Sequence, residues 1–373
     1  MKSRLLIYGV DEFEGALMSR RAAASGLAHI GAGREIAGVA AHANAQSKIH
    51  PGAVEPRTFG LGNPARIAAA LDDVAVLVNA STPFVRTSPA LVEACLATGT
   101  HYLDLSSEGR DVAALMAQDA AAASAGITVA PGACFDLALA DAMAARLALL
   151  LPGATALTIA MKHGPLTRSE ARALIAALRV PGETVRTGNT VAAMPASRTV
   201  DVDFGAGIEQ AALAPWRGDG VVSRRRGPYT TIESYEVLPP ALLRIVKGAS
   251  LARYMFRRGW RLKALERRLA RRREGPTDAE LARARSAVWG EARTPEGRTK
   301  RARLETPAAP LYTADAALLL ARALLDGKGA PGFRLPSEIG GGGLVQDIAG
   351  VVWRELADPS DTHAPDPSDA RAV

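Results

Sequence analysis

Residues 4–15 read Arg4-Leu5-Leu6-Ile7-Tyr8-Gly9-Val10-Asp11-Glu12-Phe13-Glu14-Gly15. Leu5 to Tyr8 is a short apolar run that reads as a buried strand, and it ends directly on Gly9. Gly15 follows where a helical pattern over Gly15–Ala24 begins. This is the outline of a dinucleotide-binding turn, where a glycine permits the tight bend and backbone N–H groups at a helix N-terminus face a pyrophosphate. The middle glycine of such turns is missing, and Asp11, Glu12 and Glu14 stand in the loop that should approach phosphate. A carboxylate about 4 Å from a phosphate oxygen costs about 1 kcal/mol in water and about 4 kcal/mol at an effective dielectric of about 20. The loop predicts a nucleotide-binding fold whose phosphate site is opposed by acid.

Outward from this turn, strands and helices alternate up to Pro131-Gly132. A second strand is predicted around Leu27–Ala32, a third at Val54–Phe59, and a helix at Pro64–Leu71. Val74–Asn79 is a nearly continuous apolar run, the mark of a strand covered on both faces. A helix is expected over Ser88–Thr98 with Pro89 in its first turn, and another over Val112–Ala125, between strands at His101–Leu105 and Ile127–Ala130. The fold class is therefore α/β, with a Rossmann-type doubly wound parallel sheet in residues 1–135. From 136 to 310 the texture becomes that of a second, α+β domain for substrate and dimerisation, with capping boxes at Thr167–Glu170 and Thr277–Glu280. Residues 311–357 read as a segment returning to the first domain, and 358–373 as a disordered tail.

The 373 residues are 48% hydrophobic and 22% charged, an ordinary globular composition long enough for two cores. Cys95 and Cys134 are the only cysteines and lie far apart, which argues against a disulfide framework or a zinc site and for a reducing, cytoplasmic setting. No apolar run has the length of a membrane span. The net charge of +7 is concentrated in one block, because twelve of the thirty residues from Arg244 to Arg273 are Lys or Arg. Leu251, Met255, Leu262, Leu265 and Leu269 recur there at helical spacing among Tyr254, Phe256 and Trp260. Such a segment is a candidate for peripheral contact with an anionic membrane surface, or for a helix packed on the second domain with a solvated basic face. No motif for reading nucleic acid accompanies the charge.

Two further loops lie at strand ends, where ligands of open α/β sheets sit. Arg34 closes Gly31-Ala32-Gly33-Arg34 after the second strand, with no acid before it, so a 2′-phosphate and hence NADP is expected there. Asn79-Ala80-Ser81-Thr82-Pro83-Phe84 follows the buried strand and suits contacts to a ribose or nicotinamide, or a capped strand end. Asp104, Glu108 and Asp136 stand at or just past the ends of two later strands, where a carboxylate can assist proton transfer but more often caps a helix.

Leu-Leu-Ile-Tyr-Gly, Gly-Ala-Gly-Arg at 31–34, Asn-Ala-Ser-Thr-Pro-Phe at 79–84 and the block from Leu91 to Glu108 carry a resemblance. So do Gly-Pro-Thr at 275–277, Val-Trp-Gly-Glu-Ala at 288–292 and Pro-Gly-Phe-Arg-Leu-Pro-Ser at 331–337. The chain resembles the saccharopine dehydrogenase-like NAD(P)-binding oxidoreductases, especially the bacterial branch that includes trans-acting enoyl reductases. It departs from that pattern at Glu12 and Thr82, where the family has glycine, and at Cys134, although Phe135, Asp136 and Asp141 match. The resemblance implies an NADP-dependent transfer of hydride to or from a carbonyl or enoyl substrate, small or lipid-like. Gly9, Val10, Gly15, Arg34, Asn79, Ala80 and Ser81 would hold the cofactor; Glu108 and Asp136 would lie near the substrate, with Lys162 and His163 contributing from the second domain. A homodimer is one candidate assembly. The other reading is a catalytically silent relative that binds a ligand or a membrane surface.

Overall fold

A computed structural model of the chain describes residues 2–178, 181–220, 224–240, 242–243, 273–340, 343 and 346–356. The turn at Gly9 emerges from β1 (Arg4–Tyr8), whose residues Leu5 to Tyr8 are buried on both faces. Six more strands run parallel to it: β2 (His29–Gly33), β3 (Val54–Thr58), β4 (Val74–Asn79), β5 (His101–Asp104), β6 (Thr128–Ala130) and the two-residue β15 (Gly332–Phe333). Their order is β3-β2-β1-β4-β5-β6 with β15 at the far edge. The chain direction of crossing reverses between β1 and β4, where Tyr8 is in register with Asn79. That reversal opens a crevice at the strands' carboxyl ends, the usual ligand position in such sheets.

Helices α1 (Phe13–Ala24), α2 (Ile36–Ser47), α3 (Pro64–Ala70), α4 (Phe84–Thr98), α5 (Gly109–Met116) and α6 (Asp119–Ser124) make the crossovers. Two of the expected helices differ in detail. Pro89 sits inside α4 rather than in its first turn, because the helix starts four residues earlier, directly after the cis Thr82–Pro83 bond. The helix expected over 112–125 is two short ones with a break at Ala117-Gln118.

The second sheet has nine strands: β7 (Ala156–Lys162), β8 (Gly182–Arg186), β9 (Asn189–Ala193), β10 (Thr199–Asp203), β11 (Ile208–Leu213), β12 (Thr231–Glu236), β13 (Arg285–Arg293), β14 (Thr299–Pro307) and β16 (Val352–Leu356). Only β7 and β12 pair in parallel. Both predicted capping boxes form, opening α8 (Arg168–Ala177) and α9 (Asp278–Arg283).

Between the sheets lies α7 (Phe135–Leu150), which packs on β7, β13 and β14. From Phe135 to Ala144 it is buried at every position but Asp136 and apolar almost all round, whereas Arg146 and Leu149 near its end are exposed. α10 (Ala309–Leu325) lies beside it and contacts α1, β1, β4 and β5. One hydrophobic core therefore runs from Leu6 and Leu77 in the first sheet to Leu157, Val288 and Leu304 in the second. The basic stretch 244–272 and the tail 357–373 lie outside the described residues. No helix among the described residues is long and apolar enough to cross a membrane.

Candidate functional site

Gly9 adopts φ +102°, and a Cβ there would sit 2.9 Å from the backbone nitrogen of Ser81. A Cβ on Gly15 would sit 2.2 Å from the carbonyl oxygen of Gly9. These two glycines let α1 press onto the end of β1, and let the β1 and β4 loops meet across the crevice. Val10 turns inward and is buried in the core. The backbone shape of the turn is thus the one its glycine spacing predicts.

The four remaining loop side chains each find a separate partner. Asp11 lies over the second strand's end: its Oδ1 would be 2.3 Å from a Cβ on Gly33, and its Oδ2 accepts from the Glu35 amide at 3.2 Å. Phe13 packs against Gly275, where a Cβ would meet its ring. Glu14 accepts hydrogen bonds from Thr167 Oγ1 and Ser169 Oγ, both at 2.9 Å. Glu12 stays in the crevice. Its carboxylate accepts from Ser81 Oγ at 2.5 Å, from the Thr82 amide at 3.1 Å and from Thr82 Oγ1 at 3.0 Å. Arg34 is half exposed, with Nη2 3.8 Å from Glu12 Oε1.

The 79–82 loop is shaped from below by a buried polar network. Asn79 is fully buried; its amide donates to Thr87 Oγ1 and Tyr102 Oη, and its Oδ1 accepts from the Ser81 amide. Tyr102, Ser88 and Ser106 in turn donate to Asp104, whose carboxyl burial pushes above its ordinary range. Asn79 holds the loop's shape and does not face the crevice. Ala80 is buried too, and its amide donates to the Tyr8 carbonyl at 2.9 Å. Of the three loop residues expected to touch cofactor, Ser81 presents its hydroxyl there, and it is spent on Glu12.

A second cluster stands where α7 meets the second sheet. Asp136, in the first turn of α7, has Oδ1 2.9 Å from His163 Nε2 and accepts from Arg217 Nη1 at 2.6 Å. Arg217 also donates to Asp219, and Glu236 Oε1 lies 3.4 Å from His163 Nδ1. That Nδ1 is buried without a hydrogen bond. Burial opposes a charge on His163, but Asp136 and Glu236 outweigh it and lift the imidazole to about 9. Burial likewise works against the charged form of Asp136, yet His163 and Arg217 hold its carboxyl well below the usual range. Desolvation, and after it the negative charge of Glu14, pushes the partly buried Glu170 up to about 7.

Glu108 reaches this cluster by its backbone. It precedes α5 and forms an isolated β-bridge with Arg217, while its side chain is 39% exposed and 3.7 Å from Arg110. Glu108 and Asp136 thus meet opposite ends of Arg217, one through main chain and one through side chain. Arg217, Asp219 and Glu236 were not singled out from sequence, and Glu170 was read only as the end of a capping box. Arg217-Gly218-Asp219-Gly220 is a charged pair between glycines, a weak signal that turns also produce. Among the described residues no group of His, Cys, Asp and Glu is arranged to hold a metal ion. A cavity of about 600 Å³ opens elsewhere, between α1, α9 and α10, and none of these candidate residues lines it.

Residues 30–130 match the family model of the saccharopine dehydrogenase NADP binding domain. NADP is the cofactor this match supports, and an oxidoreductase is the class. In fold, the chain is similar to the apo saccharopine dehydrogenase (L-Glu forming) of Saccharomyces cerevisiae, at 13% identity and TM-score 0.64, over 95% of this chain and 100% of that one. A short-chain dehydrogenase/reductase family oxidoreductase from Burkholderia thailandensis aligns at 18% identity over 35% of this chain and 68% of its own, with TM-score 0.29. No curated protein matches by sequence. Set against NADP, the turn at Gly9 and Gly15 and the guanidinium of Arg34 fit. Against it stands Glu12, which bridges the crevice between the β1 and β4 loops.

Proposed function

We propose that the protein is an NADP-dependent oxidoreductase that moves a hydride to or from a carbonyl or enoyl carbon, with His163 exchanging the accompanying proton. The observation that carries this reading is the hydrogen-bonded His163–Asp136–Arg217 group, in which Arg217 is buried and Asp136 and His163 are partly buried. Near it, Glu170, whose charge acts on His163, accepts from the Thr167 amide, and Thr167 Oγ1 donates to Glu14 of the turn. NADP supplies or accepts the hydride when bound. Gly9, Val10 and Gly15 would shape its cradle with Ala80 and Ser81, and Arg34 would supply the cation for a 2′-phosphate.

The protein's own residues handle the proton. Lifted to about 9, His163 is a cation at neutral pH and carries the proton that a reduced substrate needs. Asp136 acts as a positioning residue: it fixes the imidazole through Nε2 and is itself fixed by Arg217. Glu108 contributes backbone placement of Arg217. A lipid-like substrate, as in the enoyl-reductase branch, rests on the basic amphipathic sequence 244–273 alone, as does peripheral membrane contact. A homodimer is part of the proposal through the family resemblance alone.

The test is purified protein with NADPH and a panel of carbonyl and enoyl compounds, some bearing acyl chains, followed by nicotinamide absorbance. Turnover that falls at least about a hundredfold in H163Q, the scale of a lost general acid, supports the reading. Turnover unchanged in H163Q removes His163 from the chemistry. The silent relative is favoured by one specific observation, the Glu12 carboxylate across the crevice, and no response to millimolar-range NADPH would make it the better reading.

A further inference from the structure

We infer that Glu12 is an internal latch, a carboxylate that occupies the phosphate position of the crevice in the free protein and must be displaced for NADP to bind. The inference rests on the NADP reading above and adds a property of this chain's own residues. Glu12 is the last residue before α1, where partial positive charge gathers and anions are held. Its side chain leaves the β1 side of the crevice and takes three hydrogen bonds from the β4 side, one each from Ser81 Oγ, Thr82 N and Thr82 Oγ1. It therefore ties the two walls together at the point where the strand order reverses.

Two independent features point to an anion site rather than an incidental contact. Arg34 lies 3.8 Å from Glu12 Oε1 and is otherwise exposed, so the cation suited to a phosphate is already facing a carboxylate. The second concerns the departures from the glycine pattern that the chain otherwise resembles. Glu12 and Thr82 both replace glycine, and these two residues touch each other. One replacement supplies the acceptor and the other a donor. Asp11 and Glu14, the other acids of the loop, are engaged away from the crevice, with the Glu35 amide and with Thr167 and Ser169. The opposition to phosphate expected from three acids therefore falls on one residue.

Full-length protein is titrated with NADPH, reading nicotinamide fluorescence and melting temperature, in wild type, E12G, E12Q and T82V. Glycine is tolerated at the position preceding a helix, so E12G should fold. E12G is expected to bind NADPH on the order of tenfold to a hundredfold more tightly, the scale of one or two charge-assisted hydrogen bonds no longer broken on entry. E12Q, with similar size and no charge, should fall between. T82V keeps the branched shape, removes one donor and should tighten binding less than E12G, which keeps the latch testable if E12G unfolds. Saturable wild-type binding with E12G and T82V no tighter, both folded by circular dichroism, overturns the latch and leaves the cofactor reading intact. No response from any form overturns the cofactor reading, and the latch with it.

Discussion

Asp141 and Arg226 face each other across the joint between the two sheets, with Arg226 Nη2 donating to Asp141 Oδ2 at 3.1 Å and a further, shorter bond from Nε to Oδ1. Asp141 is fully buried in α7 and also accepts from the Ser337 amide at 2.9 Å. The pair binds the interior helix to two segments far along the chain. Removing the guanidinium strands a carboxylate in the core, so R226M is expected to destabilise the fold by about 3–5 kcal/mol. Urea unfolding at neutral pH measures it. A loss under about 1 kcal/mol would mean that water reaches Asp141 once the arginine is gone.

His163 sets a pH limb. Its imidazole is lifted to about 9, so the cationic form present at neutral pH is lost as pH rises through that value. Reduction by the protein should decline over the same range, and D136N should move the decline to lower pH because a carboxylate that raises the imidazole is gone. Imidazole titration by NMR gives the same answer without turnover. A His163 titration that stays put in D136N would show that Glu236 alone holds the charge. The raised value also makes His163 stabilising below about 6.5, an advantage lost as pH rises through about 9.

Ser19 sits between two imidazoles, with its Oγ 2.7 Å from His29 Nε2 and 2.8 Å from His42 Nε2. Burial pushes both rings down, His42 to about 4. A histidine held neutral in the folded state loses its stabilising effect as pH falls below the unfolded value near 6.5. Stability should therefore drop between pH 6.5 and about 4, by about 1–2 kcal/mol for His42 after allowance for its partial exposure. Urea midpoints across that range measure the drop, and H42Q should flatten it.

Gly9 and Gly60 make a matched pair of substitutions. G9A places a methyl group 2.9 Å from Ser81 N at φ +102° and should cost about 1–3 kcal/mol. G60A has nothing within 4 Å and should be nearly neutral. Equal melting temperatures for the two variants would mean that the β1 and β4 loops separate readily.

The parallel sheet was legible because β1 and β4 are buried on both faces and so read as continuous apolar runs. α2 escaped notice: only Val39, Ala43 and Gln46 of its twelve residues are buried, and Ile36 is left exposed, so its sequence has no clear apolar stripe. The β8–β9 hairpin was hidden for another reason. Its turn residues Thr187 and Gly188 both have positive φ, and threonine is an unusual choice there. In the site, the glycine spacing announced the turn, whereas the fate of each acid depended on partners far away in sequence, Ser81 for Glu12 and Thr167 for Glu14. Arg217 is the extreme case, because its significance exists only once Asp136 is brought beside it.

α10 belongs by sequence to the last fifth of the chain, yet it lies against β1, β4 and β5. A fragment stopping near residue 135 would bare the greasy underside of those three strands and lose the β15 edge as well. Such a fragment should precipitate or recruit a surrogate helix, so nucleotide affinity for this protein has to be measured on the entire polypeptide.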